Sequence, residues 1–325
     1  GTRDEASFIF WRALGMAKEG SVNEALRECD VIVHRREVAL PATAALLYYH
    51  KQAQKVDRDA VESLKAAMKR EVGSATDHAL LMAALFNAYT EQFGDARQYV
   101  QRVLDSVPTS VAHATKGWVE YLAGKSQGGF SSSKTVGPVI EKCEAAFNAA
   151  AAHEGGKQNV DALMGRVKVA EAKRQWQQAL DLVNEVVVQF EWFVPGLIEK
   201  AKVLMQTADW EQAMETAQRI TQLEADNIET LRLSILYSLA VEARKSTAAQ
   251  QLQQLVQCLQ TQEPRNPALW LSCSQLFARL ACRDRSIINV TVSMLRRAME
   301  MLGGRVTSVY LTELGYQQLL MGQIN

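Results

Sequence analysis

Apolar residues recur along this chain at helical spacing, and many segments carry them on more than one face. Leu80-Leu81-Met82-Ala83-Ala84-Leu85-Phe86 is the clearest example, and such a segment predicts a helix sandwiched between neighbours. The pattern repeats. Arg174-Gln175-Trp176-Gln177-Gln178-Ala179-Leu180 is answered 34 residues later by Ala208-Asp209-Trp210-Glu211-Gln212-Ala213-Met214. The preceding helices keep the same step, from Val167 to Ala201 to Ile235.

A period of 34 residues is that of the tetratricopeptide repeat, a pair of helices joined by a tight turn. Its eighth and twentieth positions face each other where the two helices come closest, so both favour small residues. Ala13 with Ala25, Ala84 with Ala96 and Ala201 with Ala213 are each twelve apart and fill those slots. Gly20, just before Ser21, breaks the helix between them. Pro108, twelve after Ala96, closes its unit. This template predicts nine first helices, with close-packing positions at Ala13, Leu47, Ala84, Gly117, Val167, Ala201, Ile235, Ser274 and Gly315. The prediction is an all-α superhelical solenoid of eight to nine helical hairpins. Leu47, Val167 and Ile235 are larger than the slot expects, which predicts slightly splayed hairpins there. Trp176 and Trp210 follow the turn and are read as core residues covering the hairpin end.

The step from Gly117 to Val167 is long because Lys125-Ser126-Gln127-Gly128-Gly129-Phe130-Ser131-Ser132-Ser133-Lys134 interrupts the fourth hairpin. Its Gly/Ser content predicts a flexible insert over 125–137 inside a single solenoid spanning 1–325. Longer second helices around Gln250–Thr261 and Ile287–Met301 account for the wider steps near the end. The ninth first helix, carrying Val309, Leu311, Leu314, Gly315 and Leu319, reaches a turn at Gly322 with no second helix after it. That predicts a fragment of a longer repeat protein, with an apolar face left uncovered.

Composition narrows the chemistry. An apolar fraction of 48% supports a core, and 6 prolines in 325 residues leave room for helices. Lys+Arg and Asp+Glu balance at 36 each, which argues against a nucleic-acid partner, because such binders need a basic surplus to displace counterions. No apolar run reaches the 18 residues of a membrane-spanning helix, so no membrane insertion is expected. The five cysteines, Cys29, Cys143, Cys258, Cys273 and Cys282, form no CxxC pair and are read as buried thiols. Gly124-Lys125-Ser126 resembles the end of a phosphate loop, but its earlier glycine, Gly117, is too distant and the intervening residues read as helix. Asn289-Val290-Thr291 has the letters of a glycosylation sequon inside a predicted helix and is set aside. His34, His50, His78, His113 and His153 are scattered, without metal-ligand spacing. No catalytic, cofactor-binding or metal residues are therefore assigned, and no cofactor or enzyme activity is expected. A carboxylate clamp of the co-chaperone type also fails. Lys168 and Lys202 fall at position nine of consecutive units, but Met164 and Ile198 hold position five.

Three stretches carry a resemblance to one family: Gly15-Met16-Ala17-Lys18-Glu19-Gly20-Ser21-Val22-Asn23-Glu24-Ala25-Leu26-Arg27-Glu28, Asp209 to Arg219 running on to Asn227-Ile228-Glu229-Thr230-Leu231-Arg232, and Thr312 to Gly322. They resemble the N-terminal region of the long tetratricopeptide subunit of intraflagellar transport complex A, the tetratricopeptide repeat protein 21 family. The Gly/Ser insert and the Gln-rich segment after Ala248 depart from it. The resemblance implies a non-catalytic scaffold or adaptor that binds other subunits of complex A, neighbours in the train, and cargo. Retrograde ciliary transport and ciliary membrane-protein traffic follow as its role, in cytoplasm, cilium or flagellum, and basal body. The alternative on the residues alone is a peptide receptor or chaperone-type adaptor outside cilia.

Overall fold

The computed structural model describes residues 3–52, 58–128, 130 and 133–322. Seventeen α-helices follow one another with no strand among the described residues. The first compact unit is Gly1–Val186. It contains α1 (Arg3–Lys18), α2 (Val22–Ile32), α3 (Ala39–Gln52), α4 (Arg58–Ser74), α5 (Asp77–Tyr89), α6 (Phe93–Ser106), α7 (Ser110–Ser126), α8 (Ser133–Ala152) and α9 (Val160–Ala172). Helix α10 (Trp176–Gln189) crosses the boundary. The second unit, Val187–Asn325, continues with α11 (Val194–Gln206), α12 (Trp210–Leu223), α13 (Ile228–Ala240), α14 (Lys245–Gln262), α15 (Pro267–Leu280), α16 (Arg285–Met301) and α17 (Ser308–Leu320).

Within each unit the helices pair in sequence order, and the first helix of a hairpin also packs on the first helix of the next. In the first unit α1 packs on α2, α3 on α4, α5 on α6 and α7 on α8, while α3, α5, α7 and α9 stack in series. In the second unit α11–α12, α13–α14 and α15–α16 are the hairpins, and α11, α13, α15 and α17 form the series. A helix touched on two sides must be apolar on two sides. Helix α5 meets that demand: every residue from Ala79 to Ala84 is buried, as are Phe86, Asn87 and Ala88. Phe86 is the hub of the first unit, with Phe10 and Tyr48 each 5.9 Å away edge-on. Trp270 and Phe277 play that part in the second, packed with Leu252, Leu255, Ile288 and Leu295. Burying one such side chain stabilises by roughly 1.5–3 kcal/mol.

The small-residue slots hold. Ala13, Ala25, Ala84, Ala96, Val167, Ala201, Ile235 and Ser274 have no measurable exposure, and Ala213 is 1% exposed. Gly117 meets the wholly buried ring of Phe147 from α8, and Gly165 of α9 meets the same ring. The volume missing on the first helices is thus filled by an aromatic on the second. Val167 and Ile235 fit without exposure.

Two slots are corrected. Leu47 is half-buried; in α3 the run from Ala39 to Leu46 takes the interior instead. Gly315 is half-buried too, and Glu313 and Gln317 occupy the buried side of α17. They go there because a polar network receives them. Ser274 Oγ donates to the Thr291 carbonyl, and Gln317 Nε2 donates to Ser274 Oγ and to Glu313 Oε1. Arg279 closes it on Glu313 at 3.0 Å.

Several of the turns that end a first helix share one backbone geometry. Seven residues after the close-packing position the chain turns left-handed: Gly20 (φ +90°), Glu91 (+63°), Arg174 (+57°), Ala208 (+60°) and Gly322 (+79°). The next amide reaches back five residues, as Ser21 to Met16, Gln92 to Asn87, Gln175 to Ala170 and Asp209 to Leu204. This hydrogen-bond pair satisfies carbonyls that the helix end leaves open. Eight residues before the close-packing position stands a side-chain cap. Thr76, Thr109, Asn159, Asn227 and Asn266 each accept from the backbone N–H three residues on, a bond that contributes about 1 kcal/mol per helix.

The predicted insert over 125–137 is helical at both ends. Lys125 and Ser126 finish α7 and Ser133 begins α8. Phe130 packs on Tyr121 with ring centres 5.0 Å apart, while Gly129, Ser131 and Ser132 lie outside the described residues. The second helices α14 and α16 have 18 and 17 residues, long enough to widen the repeat step as expected.

Candidate protein-interaction surfaces

Among the described residues no three His, Cys, Asp or Glu side chains come together as a metal-binding group. Cys29, Cys143, Cys258 and Cys273 are buried and free. Burial pushes the thiols of Cys29 and Cys143 up to about 12 and that of Cys273 to about 11, so they remain protonated and inert. Cys282 differs from the expectation: it is exposed. It sits at the left-handed turn between α15 and α16, with φ +48°, where no helix is left to cover it.

The scattered histidines stay apart with one exception. His113 on α7 and His153 after α8 come within 6.3 Å between ring centres. Burial first, then the neighbouring His153 and Lys116, lower the His113 pKa. Gly124, Lys125 and Ser126 lie in the last turn of α7, where helical N–H groups are already bonded and cannot cradle a phosphate. Asn289 and Thr291 lie within α16, and Thr291 is wholly buried. Trp176 and Trp210 are half-buried, and Trp210 tilts against Tyr237 at 6.1 Å. Both positions agree with packing at a hairpin end.

What the fold offers is surface. In the first unit, α3, α4, α5 and α6 enclose a pocket of about 380 Å³. Ala44, Leu47 and Met68 form apolar wall, Tyr48 and Tyr99 add rings, and Lys51, Gln92 and Asp95 stand exposed at the rim. Asn87 also lines it, is only 2% exposed, and its side-chain Nδ2 has no hydrogen-bond partner. A second groove of about 320 Å³ runs between α6 and α7. It is bridged by Arg97 to both carboxylate oxygens of Glu120, at 2.7 and 2.9 Å. In the second unit a polar groove of about 470 Å³ lies beside Arg296, Arg297 and Glu300.

Some ion pairs tie neighbouring hairpins together. Lys202 of α11 reaches Glu229 of α13 at 3.1 Å, and Arg232 shares that carboxylate. Burial would raise the Glu229 pKa, but Arg232 and Lys202 outweigh it and hold the carboxylate below its ordinary value. Large apolar side chains also face outward. Val188 and Trp192 in the second unit are 77% and 71% exposed, and Leu311 and Leu319 of α17 are 55% and 61% exposed. No described helix is long and apolar enough to cross a membrane.

Comparison with known proteins agrees with this architecture. Residues 2–214 match the profile of the tetratricopeptide repeat protein 21 N-terminal ARM repeat, and residues 250–325 match that of the second ARM domain. Human tetratricopeptide repeat protein 21B is 31% identical over 320 residues, 98% of this chain and 23% of its own length. Human tetratricopeptide repeat protein 21A is 28% identical over 97% of this chain and 23% of its own. The Caenorhabditis elegans homologue is 26% identical over 86% of this chain. This chain therefore spans about a quarter of the length of these relatives. Among solved structures, yeast Tom70 aligns with a TM-score of 0.56 at 13% identity, over 99% of this chain and 65% of its own. The Cut9–Hcn1 structure of the APC/C aligns at 0.55 and 12% identity, over 97% of this chain and 60% of its own; at such identity both speak to fold alone. With helical hairpins throughout and both profiles matched in order, the chain belongs to the tetratricopeptide repeat protein 21 family.

Proposed function

We propose that this chain is a non-catalytic scaffold of intraflagellar transport complex A, holding other train subunits and cargo on its hairpin surfaces. Its place is then the cytoplasm, basal body and cilium, in retrograde transport and ciliary membrane-protein traffic. The observation that carries the reading is the 31% identity to human tetratricopeptide repeat protein 21B over 98% of the chain. The surfaces support it physically. Stacked hairpins present broad grooves in which area is buried by many residues, with none indispensable.

The test is affinity capture with the tagged chain from extracts of ciliated cells, read by mass spectrometry against a tag-only control. Complex A subunits should be enriched. Recovery of chaperones alone, with complex A subunits at control level, overturns the proposal in favour of a chaperone-type adaptor.

A further inference from the structure

Helix α5 is apolar from Ala79 to Ala88 except at Asn87. A polar amide in that run is costly: an unpartnered buried donor forfeits about 1–3 kcal/mol of solvation, and native proteins leave few such groups. Among the described residues Arg232 and Gln317 also leave one buried side-chain atom without a hydrogen bond, but both use their remaining atoms in ion pairs or hydrogen bonds. Asn87 instead opens on the 380 Å³ pocket of the first unit, a volume within the roughly 300–1,000 Å³ of ligand-binding pockets.

The pocket's chemistry is ordered. Apolar wall from Ala44, Leu47 and Met68 suits an aliphatic side chain. The Asn87 Nδ2 is a donor waiting for an acceptor, and a peptide carbonyl is such a group. Lys51 puts a cation on the rim, which favours an acidic neighbour, and Asp95 offers a carboxylate that accepts from backbone N–H. An extended peptide supplies all of these at once, because its carbonyls and N–H groups are not used internally.

We propose that this pocket is a docking site for an extended segment of a partner protein in which a Leu-sized apolar residue is followed by an acidic one. The apolar side chain rests on Leu47 and Met68, a backbone carbonyl accepts from Asn87, and the carboxylate meets Lys51. This deepens the scaffold reading, on which it rests, by naming one place and one chemistry for a partner.

The experiment uses the full 325-residue chain with ¹³C-methyl methionine and ¹⁵N labels, and three short capped peptides centred on Leu-Asp, Leu-Lys and Gly-Asp. The Leu-Asp peptide should shift the Asn87 side-chain amide and the Met68 methyl, binding at least several-fold more tightly than the other two. Asn87→Leu should weaken it about 3- to 10-fold, the range of one lost neutral hydrogen bond. Lys51→Glu, an exposed change that leaves folding intact, should reverse the preference between Leu-Asp and Leu-Lys. No shift at Asn87 or Met68 with any peptide overturns the site, and means that Asn87 is met by water only. Equal response to all three overturns the specificity and with it the proposal. Capture of complex A subunits without any peptide response leaves the scaffold standing and removes the pocket. A peptide response with no such subunits captured does the reverse.

Discussion

Ala208 makes the hairpin turn testable with one methyl group. It sits at φ +60°, exposed, between α11 and α12. Its own amide reaches the Met205 carbonyl at 3.2 Å, and the Asp209 amide reaches Leu204 at 2.9 Å. A Cβ in the left-handed region costs roughly 1–2 kcal/mol, while glycine's extra freedom in the unfolded chain costs roughly 0.5–1 kcal/mol. Ala208→Gly should therefore stabilise by about 0.5–1 kcal/mol, or roughly 1 °C in Tm for a chain of this length. The control is the same substitution seven residues earlier. Ala201 is inside α11 and wholly buried, so Ala201→Gly loses about 1 kcal/mol of helix propensity and about 0.8 kcal/mol of methyl burial. Two chemically identical changes should thus have opposite signs. Urea titrations of the three proteins, compared at equal slope, measure this directly. If Ala208→Gly destabilises as much as Ala201→Gly, the turn is not left-handed there and the repeat register of seven is wrong.

Ala213→Arg should destabilise by more than the ~1–3 kcal/mol of overpacking, since it also buries a charge, while Gln212→Arg on the exposed side of α12 should be near neutral by thermal melt. Gly165→Val should collide with Phe147, and Phe147→Ala should relieve it, so the double variant should be less damaged than the sum of the singles in a double-mutant cycle. Iodoacetamide at pH 8 should label Cys282 in the native protein, with Cys29, Cys143 and Cys273 reacting only in denaturant, read by mass spectrometry. The same thiols set a pH dependence: below the ordinary thiol pKa of about 8.5 both states are neutral. Above it the unfolded thiols ionise while Cys29 and Cys143 stay protonated up to about 12. Stability should therefore fall across that alkaline window and be restored in part by Cys143→Ala.

The repeat was legible because its signals are local and periodic. Ala13, Ala84 and Ala201, with partners twelve residues on, mark the closest helix contact by size alone, and all are fully buried. The turn at Gly20 could be read from its glycine, but those at Glu91, Arg174 and Ala208 could not. There the backbone is held left-handed by helix packing on both sides, against residue preference. The caps at Thr76, Thr109, Asn159, Asn227 and Asn266 were readable in principle, standing eight residues before each slot.

Leu47 and Gly315 were misplaced for a different reason: each was aligned by spacing, and spacing does not know what faces a helix. On α17 the facing group was the Ser274 hydroxyl, which drew Gln317 and Glu313 inward. On α3 it was the pocket that Leu47 helps to line. The sequence by itself determined the helices, their pairing and the family, because side-chain size and period are written along one dimension. Only the tertiary structure decided that Cys282 is bare, that Phe147 fills the space of two glycines, and that Asn87 opens on a cavity. Those depend on residues brought together from different helices, and no single stretch of chain encodes them.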